Sequence, residues 1–197
     1  NPDDYYITNT LGTARIAYLC AKHRLKLIYP STGAIFHREI SPYADSKAIA
    51  EDLVKGIINV IPVTILRFFN VYGPHMNKDS GSIMYNFMTE PEITVHGDGE
   101  QKRDFIHVRD VVAIIEDAIK GKWDGKIVDV GTGQSYTINY VAGLFAHFRG
   151  KKIKYVPPKR EIKWSIADTR MLKTLYKKKL TTNLEKDIEA LCANYAK

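Results

Sequence analysis

The sequence predicts an α/β protein with a mainly parallel sheet, on three observations. Strand-like and helix-like patterns alternate along the whole chain. The stretch PVTILRFF at 62–69 is almost continuously apolar, as a strand buried on both faces requires. At 197 residues and 45% hydrophobic composition, the chain is long enough to bury a full core.

The elements follow in order. Helical spacing of Tyr6, Leu11, Ala14, Ala17 and Tyr18 predicts a helix over 3–23, and the apolar residues at 26–29 a short strand running into Pro30-Ser31-Thr32. A helix is expected over 43–59, then the buried strand at 62–69. Residues 80–89 read as a helix and 93–96 as a strand, and Gly97-Asp98-Gly99 as a turn. A helix over 108–120, a strand over 126–130, a helix over 137–148 and a strand over 153–156 follow, the last closed by Pro157-Pro158. Helices over 169–176 and 183–196 end the chain. No internal repeat or low-complexity segment interrupts this order.

Composition narrows the class. With 26% charged residues the chain reads as an ordinary soluble globular protein. Its apolar runs are too short for a membrane span, and no signal peptide is visible. Cys20 and Cys192 lie far apart on amphipathic patterns, which fits buried free thiols in a reducing, cytoplasmic setting. The six histidines lack metal-ligand spacing, so no metal is assigned. The net charge of +7 is spread without an aromatic-interleaved stripe. Lys151, Lys152 and Lys154 therefore read as solvated surface, and no nucleic-acid partner is expected. Attraction of an anionic small molecule such as a nucleotide sugar is the secondary reading.

The most informative local feature is Tyr43-x-x-x-Lys47, with Thr32 eleven positions upstream. Four residues apart on a helix, a phenol and an ammonium share one face. A neighbouring cation favours the phenolate, which suits Tyr43 to proton transfer at a sugar or alcohol hydroxyl. The Thr32 hydroxyl can bond the same substrate oxygen.

A resemblance rests on motifs in order: Asn1-Pro2 with Asn9-x-x-Gly12-Thr13; Tyr29-Pro30-Ser31-Thr32; Ser41-Pro42-Tyr43-Ala44-x-Ser46-Lys47-x-x-x-Glu51; Arg67-Phe68-Phe69-Asn70-Val71-Tyr72-Gly73-Pro74; Gly97-Asp98-Gly99-x-Gln101-x-Arg103-Asp104-Phe105-Ile106-His107-Val108-x-Asp110-Val111; Val130-Gly131-x-Gly133; and Ala167-Asp168. The series resembles the extended short-chain dehydrogenases/reductases, and within them the NAD-dependent nucleotide-sugar epimerases and dehydratases of the UDP-glucose 4-epimerase type. It implies a partial Rossmann-like, doubly wound sheet with a small C-terminal α/β substrate lobe. The catalytic portion would be 1–72 and the substrate lobe 73–197, with 108–130 returning to the Rossmann sheet. Tyr43 would be the general acid/base, Lys47 its electrostatic partner and a ligand of the nicotinamide ribose, and Thr32 a bond to the reacting oxygen. Asn70 and Arg103 would meet the nucleotide diphosphate, with Arg160 as a second clamp. A homodimer through the helices over 3–23 and 43–59 is common in such a family.

Other motif residues have structural readings. Arg67, after an apolar strand, is expected to be an ion-pair partner rather than a ligand contact. Asp98 is read as turn chemistry. Asp104 and Asp110 serve either as caps for the helix beginning near Val108 or as substrate contacts. Phe68, Phe69 and Phe105 read as core, and His107 as a satisfied buried histidine.

Two departures from the family pattern stand out. The glycine-rich strand-turn-helix that receives a dinucleotide pyrophosphate is not found in this sequence. Gly131-Thr132-Gly133 lacks a third glycine and is rejected as that fingerprint. The chain is thus expected to be a fragment, with most of the NAD cradle missing and weak NAD binding on its own. In addition, dehydratases of this kind carry an Asp-Glu pair behind the threonine, where this chain has Gly33 and Ala34. Neither transfers a proton, so an epimerase through a 4-keto sugar fits better. A nucleotide-sugar reductase or dehydratase is the alternative, as is a non-catalytic nucleotide-sugar-binding remnant. Phe36 and a short connection to Tyr43 border the expected sugar pocket.

Overall fold

A computed structural model describes residues 1–77 and 81–195. They divide into two compact units. The first comprises 1–69, 114–130 and 168–177, and the second 70–77, 81–113, 131–167 and 178–195.

The first unit is built on a parallel three-stranded sheet. Strand β1 (Leu27–Thr32) pairs with β2 (Val63–Phe68), which pairs with β7 (Lys126–Val130). The register sets Thr32 beside Phe68 and Arg67 beside Asp129. Val63, Ile65 and Leu66 have no exposed surface, which explains the unbroken apolar run. Tyr29, Ala50, Val54 and Ile61 complete a core with Val63 and Ile65.

Helices flank these strands. The expected helix over 3–23 is α1 (Pro2–Tyr5), a wider π-helical stretch at Tyr6–Leu11, and α2 (Gly12–His23). Arg24 in the left-handed conformation ends it. Helix α3 spans Pro42–Lys55, shorter than the expected 43–59. Ser41 caps it by accepting the Ala44 N–H, and Pro42 fits the first turn, where no N–H partner is needed. Between β1 and α3, residues Gly33–Ile40 form 3₁₀ turns broken at His37, where only a loop is expected from sequence. Helix α7 (Arg170–Leu175) and the half of α5 (Val108–Lys120) from Ile114 onward also belong here. Cys192 is buried in the second unit, but Cys20 is only half-buried; both are free thiols.

The second unit holds three small sheets. Strand β3 (Val71–Tyr72) pairs with β6 (Ile106–His107), and β4 (Ile93–His96) with β9 (Ile153–Val156), both parallel. Strand β5 (Lys102–Arg103) lies between β10 (Trp164–Ser165), parallel, and β8 (Tyr136–Thr137), antiparallel. Its core joins Tyr72, Phe87, Phe105 and Phe145 to Ile188 and Leu191. Helix α4 (Ile83–Thr89) is capped by Ser82; the expected start at Ser80 lies outside the described residues. Helix α6 (Ile138–Arg149) is capped by Thr137, and α8 spans Leu184–Tyr195; Ala196 likewise lies outside. Lys151 differs from its surface reading. Its ammonium donates to the carbonyls of Phe87, Met88 and Glu90 at 2.9, 2.6 and 2.6 Å, neutralising the end of α4. Among the described residues, no helix is long and apolar enough to cross a membrane.

Candidate active site

Thr32 is the last residue of β1, in extended conformation, and its Oγ1 accepts the Ala34 N–H at 3.2 Å. Tyr43 stands in the first turn of α3. The Thr32 hydroxyl lies near enough to the Tyr43 phenol to favour its ionised form. Burial outweighs that help. Although 39% of Tyr43 is exposed, the protein around its hydroxyl raises the phenol above its ordinary value of 10.0. Tyr5 packs edge-to-face on Tyr43, with ring centroids 5.8 Å apart.

Lys47 lies one turn further along α3, but its ammonium is engaged elsewhere. Nζ donates to the Pro30 carbonyl at 2.6 Å and sits 4.6 Å from the centre of the Tyr29 ring. Burial lowers its pKa, against a smaller upward pull from Glu51. The structure thus places Thr32 near Tyr43, with the Lys47 ammonium one turn on and held at the Pro30 carbonyl.

Several residues with no expected site role hold this arrangement. Ser46 is buried on α3; its Oγ donates to the Tyr43 carbonyl at 2.9 Å and accepts from Asn9 Nδ2 at 3.0 Å. Thr10 Oγ1 donates to the Ser46 carbonyl at 3.1 Å, so the π-helical stretch grips α3 between Tyr43 and Lys47. Asn9 and Ser46 both stand in the sequence motifs, but nothing in their spacing pairs them. Arg67 is an ion-pair partner, bound to Glu51 and Asp129 and lying 4.9 Å from the centre of the Phe36 ring. Gly33 has a packing reason. A Cβ there would come within 2.6 Å of the Phe69 ring, so the position behind Thr32 has no room for an acidic side chain.

The other predicted residues lie in the second unit. Asn70 Nδ2 donates to the Asp104 carbonyl at 2.8 Å. Arg103 Nη2 donates to Glu161 at 2.9 Å and Nη1 to the Lys102 carbonyl at 3.0 Å. Burial lowers the Arg103 pKa, with Glu161 opposing. Arg160 is exposed, directly beside Glu161 in the segment between β9 and β10. Asn70 and Arg103 therefore meet through the backbone around Asp104, and Arg160 joins them only through its neighbour.

Asp104 does not cap α5. It is fully buried, and its carboxylate accepts from Thr132 N at 2.9 Å, Gly133 N at 2.8 Å, Thr132 Oγ1 at 2.7 Å and Ala167 N at 3.2 Å. The Gly131-Thr132-Gly133 turn is thus an anion nest filled by the chain's own carboxylate. A Cβ on Gly131 would approach Asp104 Oδ2 to 2.6 Å. Asp110 does not cap α5 either: it accepts the backbone N–H and hydroxyl of both Thr181 and Thr182. His107 is buried, with Nδ1 accepting the Arg109 N–H at 3.1 Å, a structural role. Asp98 forms the turn, accepting the Glu100 N–H at 3.0 Å. Phe69 and Phe105 are buried.

For NAD, the fit is partial. Tyr43 and Lys47 offer the hydroxyl and ammonium that a nicotinamide ribose would take, whereas the one Gly-x-Gly turn that follows a strand of the sheet has its amides occupied.

Comparisons with known proteins bear on the family and the fold. A model of the NAD dependent epimerase/dehydratase family matches residues 1–131. The chain is 28% identical over 192 residues to a putative UDP-glucose 4-epimerase of Methanocaldococcus jannaschii, covering 85% of this chain and 62% of that protein. It is 30% identical over 160 residues to a UDP-N-acetyl-alpha-D-glucosaminuronate decarboxylase of Bacillus cytotoxicus, covering 68% of this chain and 50% of the relative. The solved structure of an NAD-dependent NDP-hexosamine 5,6-dehydratase involved in tunicamycin biosynthesis superposes with a TM-score of 0.87 at 27% identity, over 99% of this chain and 71% of that one. The chain spans roughly half to three-fifths of the curated relatives it matches. With the sheet, the ordered motifs and a family match over two-thirds of its length, the chain belongs to the NAD-dependent epimerase/dehydratase family.

Proposed function

We propose that this chain carries the catalytic residues of an NAD-dependent nucleotide-sugar 4-epimerase. The observation that carries this reading is the Thr32–Tyr43 pair with Gly33 and Ala34 behind it. Tyr43 is the acid/base: it takes the proton from the sugar 4-hydroxyl and returns it to the 4-keto oxygen after the sugar turns over. Thr32 bonds that same oxygen and favours the phenolate. Burial raises the phenol pKa and Thr32 opposes it; the oxidative half-reaction needs the phenolate, and the proton it collects makes the phenol that the reductive half-reaction needs. Lys47, with three N–H donors of which Pro30 takes one, would hold the ribose hydroxyls of the cofactor. Bound NAD supplies a hydride acceptor and later donor at the sugar carbon, with no net redox change.

Asn70, Arg103 and Arg160 would hold the diphosphate through charge-assisted bonds. The missing acid at Gly33 supports epimerisation over dehydration, because expelling a hydroxyl needs a proton donor that neither Gly33 nor Ala34 supplies. The names of the M. jannaschii and B. cytotoxicus relatives point to a UDP-sugar as substrate. A homodimer would use α2 and α3, where Ile16, Tyr18, Leu19 and Leu53 are exposed. A monomer at every concentration in sedimentation velocity would contradict that assembly.

The test is an assay with Arg103→Ala and UDP-glucose. The reading expects a raised KM with little change in kcat, since the guanidinium binds rather than reacts; an unchanged KM removes Arg103 from the diphosphate site.

A further inference from the structure

Arg103 is largely shielded, with 13% of its side chain exposed, and its guanidinium is already paired. The partner is Glu161, itself 24% exposed, at 2.9 Å from Nη2. Glu161 has a second tether: Gln101 Nε2 donates to its other oxygen at 3.3 Å. A shielded guanidinium without a counter-ion is costly, so some anion must occupy this fork at all times. Glu161 lies in the irregular segment between β9 and β10, flanked in sequence by Lys159, Arg160 and Lys163. Those cations would compensate a carboxylate released from Arg103, so the exchange carries little electrostatic penalty.

We propose that Glu161 is a built-in competitor of the diphosphate: it fills the Arg103 fork until a nucleoside diphosphate displaces it, and it thereby sets the affinity of the site. This rests on the reading of Arg103 as a diphosphate ligand. The carboxylate presents one negative charge and two oxygens, whereas a diphosphate presents more of both to the same planar donors. Displacement therefore favours the nucleotide, but each binding event must first break the Arg103–Glu161 and Gln101–Glu161 bonds. Glu161 acts on affinity and takes no part in proton transfer.

The test is calorimetric titration of the 197-residue chain with UDP, in the wild type, Glu161→Gln, Arg103→Met and the double variant. Glu161→Gln keeps the side-chain shape and removes the charge. It is expected to bind UDP up to about fivefold more tightly, the size of a single ion-pair contribution. Arg103→Met is expected to weaken binding and, in the double variant, to cancel the gain. Gln101→Ala loosens Glu161 without touching its charge and is expected to tighten UDP binding by a smaller factor, which decides the matter if Glu161→Gln does not fold. Equal or weaker binding by folded Glu161→Gln overturns the competitor role while leaving Arg103 as a ligand. UDP affinity indifferent to Arg103→Met overturns the diphosphate reading and the competitor with it.

Discussion

The Arg67 guanidinium closes on the carboxylate of Glu51, with 2.7 Å from Nη2 to Oε1, at a depth where Glu51 has no exposed surface. Ser31 donates to the same carboxylate at 2.5 Å and Lys55 contacts it at 3.0 Å. One buried group thus ties β1, β2 and α3 together directly behind Thr32 and Tyr43. Burial pushes the Glu51 carboxyl up, but the bonds from Arg67, Ser31 and Lys55 outweigh it and hold it below 4.5. A depressed carboxyl contributes stability that is present above its unfolded value and lost as pH falls through the folded one. Thermal melts should therefore lose stability progressively below about pH 4.5, and Glu51→Ala should be less steeply acid-sensitive. At neutral pH that substitution should cost ~3 kcal/mol, because it leaves the half-buried Arg67 with the longer Asp129 contact at 3.4 Å. Melting within 1 °C of wild type, on the order of a few tenths of a kcal/mol, would show the pair to be dispensable.

The Tyr43 phenol should titrate above 10.0. Phenolate absorbance of the wild type minus that of Tyr43→Phe isolates its ionisation from the other tyrosines. A midpoint near neutrality would show that burial does not govern Tyr43. Tyr29 is also raised by burial, and Tyr72 by burial together with Asp187. Phenols raised in the folded state contribute stability that is present below pH 10 and lost as pH climbs through their folded values, so the chain should unfold in strong alkali.

Asp104→Asn places an amide against the N–H groups of Thr132, Gly133 and Ala167. It should destabilise the second unit by about 1–3 kcal/mol, the cost of stranded buried donors. It should also raise hydrogen exchange at the Thr132 and Gly133 amides. Because the Asp104 carbonyl receives Asn70 and its neighbour is Arg103, UDP binding should weaken as well. Unchanged exchange at both amides would mean that the nest is not held by Asp104.

Asp104 bears on the cofactor too. With the Thr132 and Gly133 amides engaged, that turn cannot accept a pyrophosphate. Titration of the 197-residue chain with NAD should show only weak binding, and a Kd tighter than about 1 μM would contradict this.

The parallel sheet was legible because its strands are buried on both faces: Val63, Ile65, Leu66 and Val128 have no exposed surface, and burial of that kind leaves an unbroken apolar run. Long helices such as α5 and α6 were legible from their apolar faces. The π-helical stretch was not, since Asn9 and Thr10 find their partner on Ser46, more than thirty residues away. Two-residue strands such as β5 and β10 carry no periodicity at all. In the site, the residue types at 32, 43 and 47 were plain, but the direction of Lys47 depended on the Pro30 carbonyl and the Tyr29 ring, which only the fold brings near. Lys151 was misread for the same reason, as its three carbonyl partners lie on another helix end.

The account stands or falls on Tyr43 as the group that moves the proton. The direct measurement is C4 inversion of UDP-glucose, with NAD present, by the wild-type protein and by its Tyr43→Phe variant. The account predicts the C4 epimer from the wild type without accumulation of NADH, a variant slower by about 10²–10⁴-fold, and UDP affinity that is nearly unchanged. A Tyr43→Phe protein that inverts C4 at the wild-type rate would contradict it.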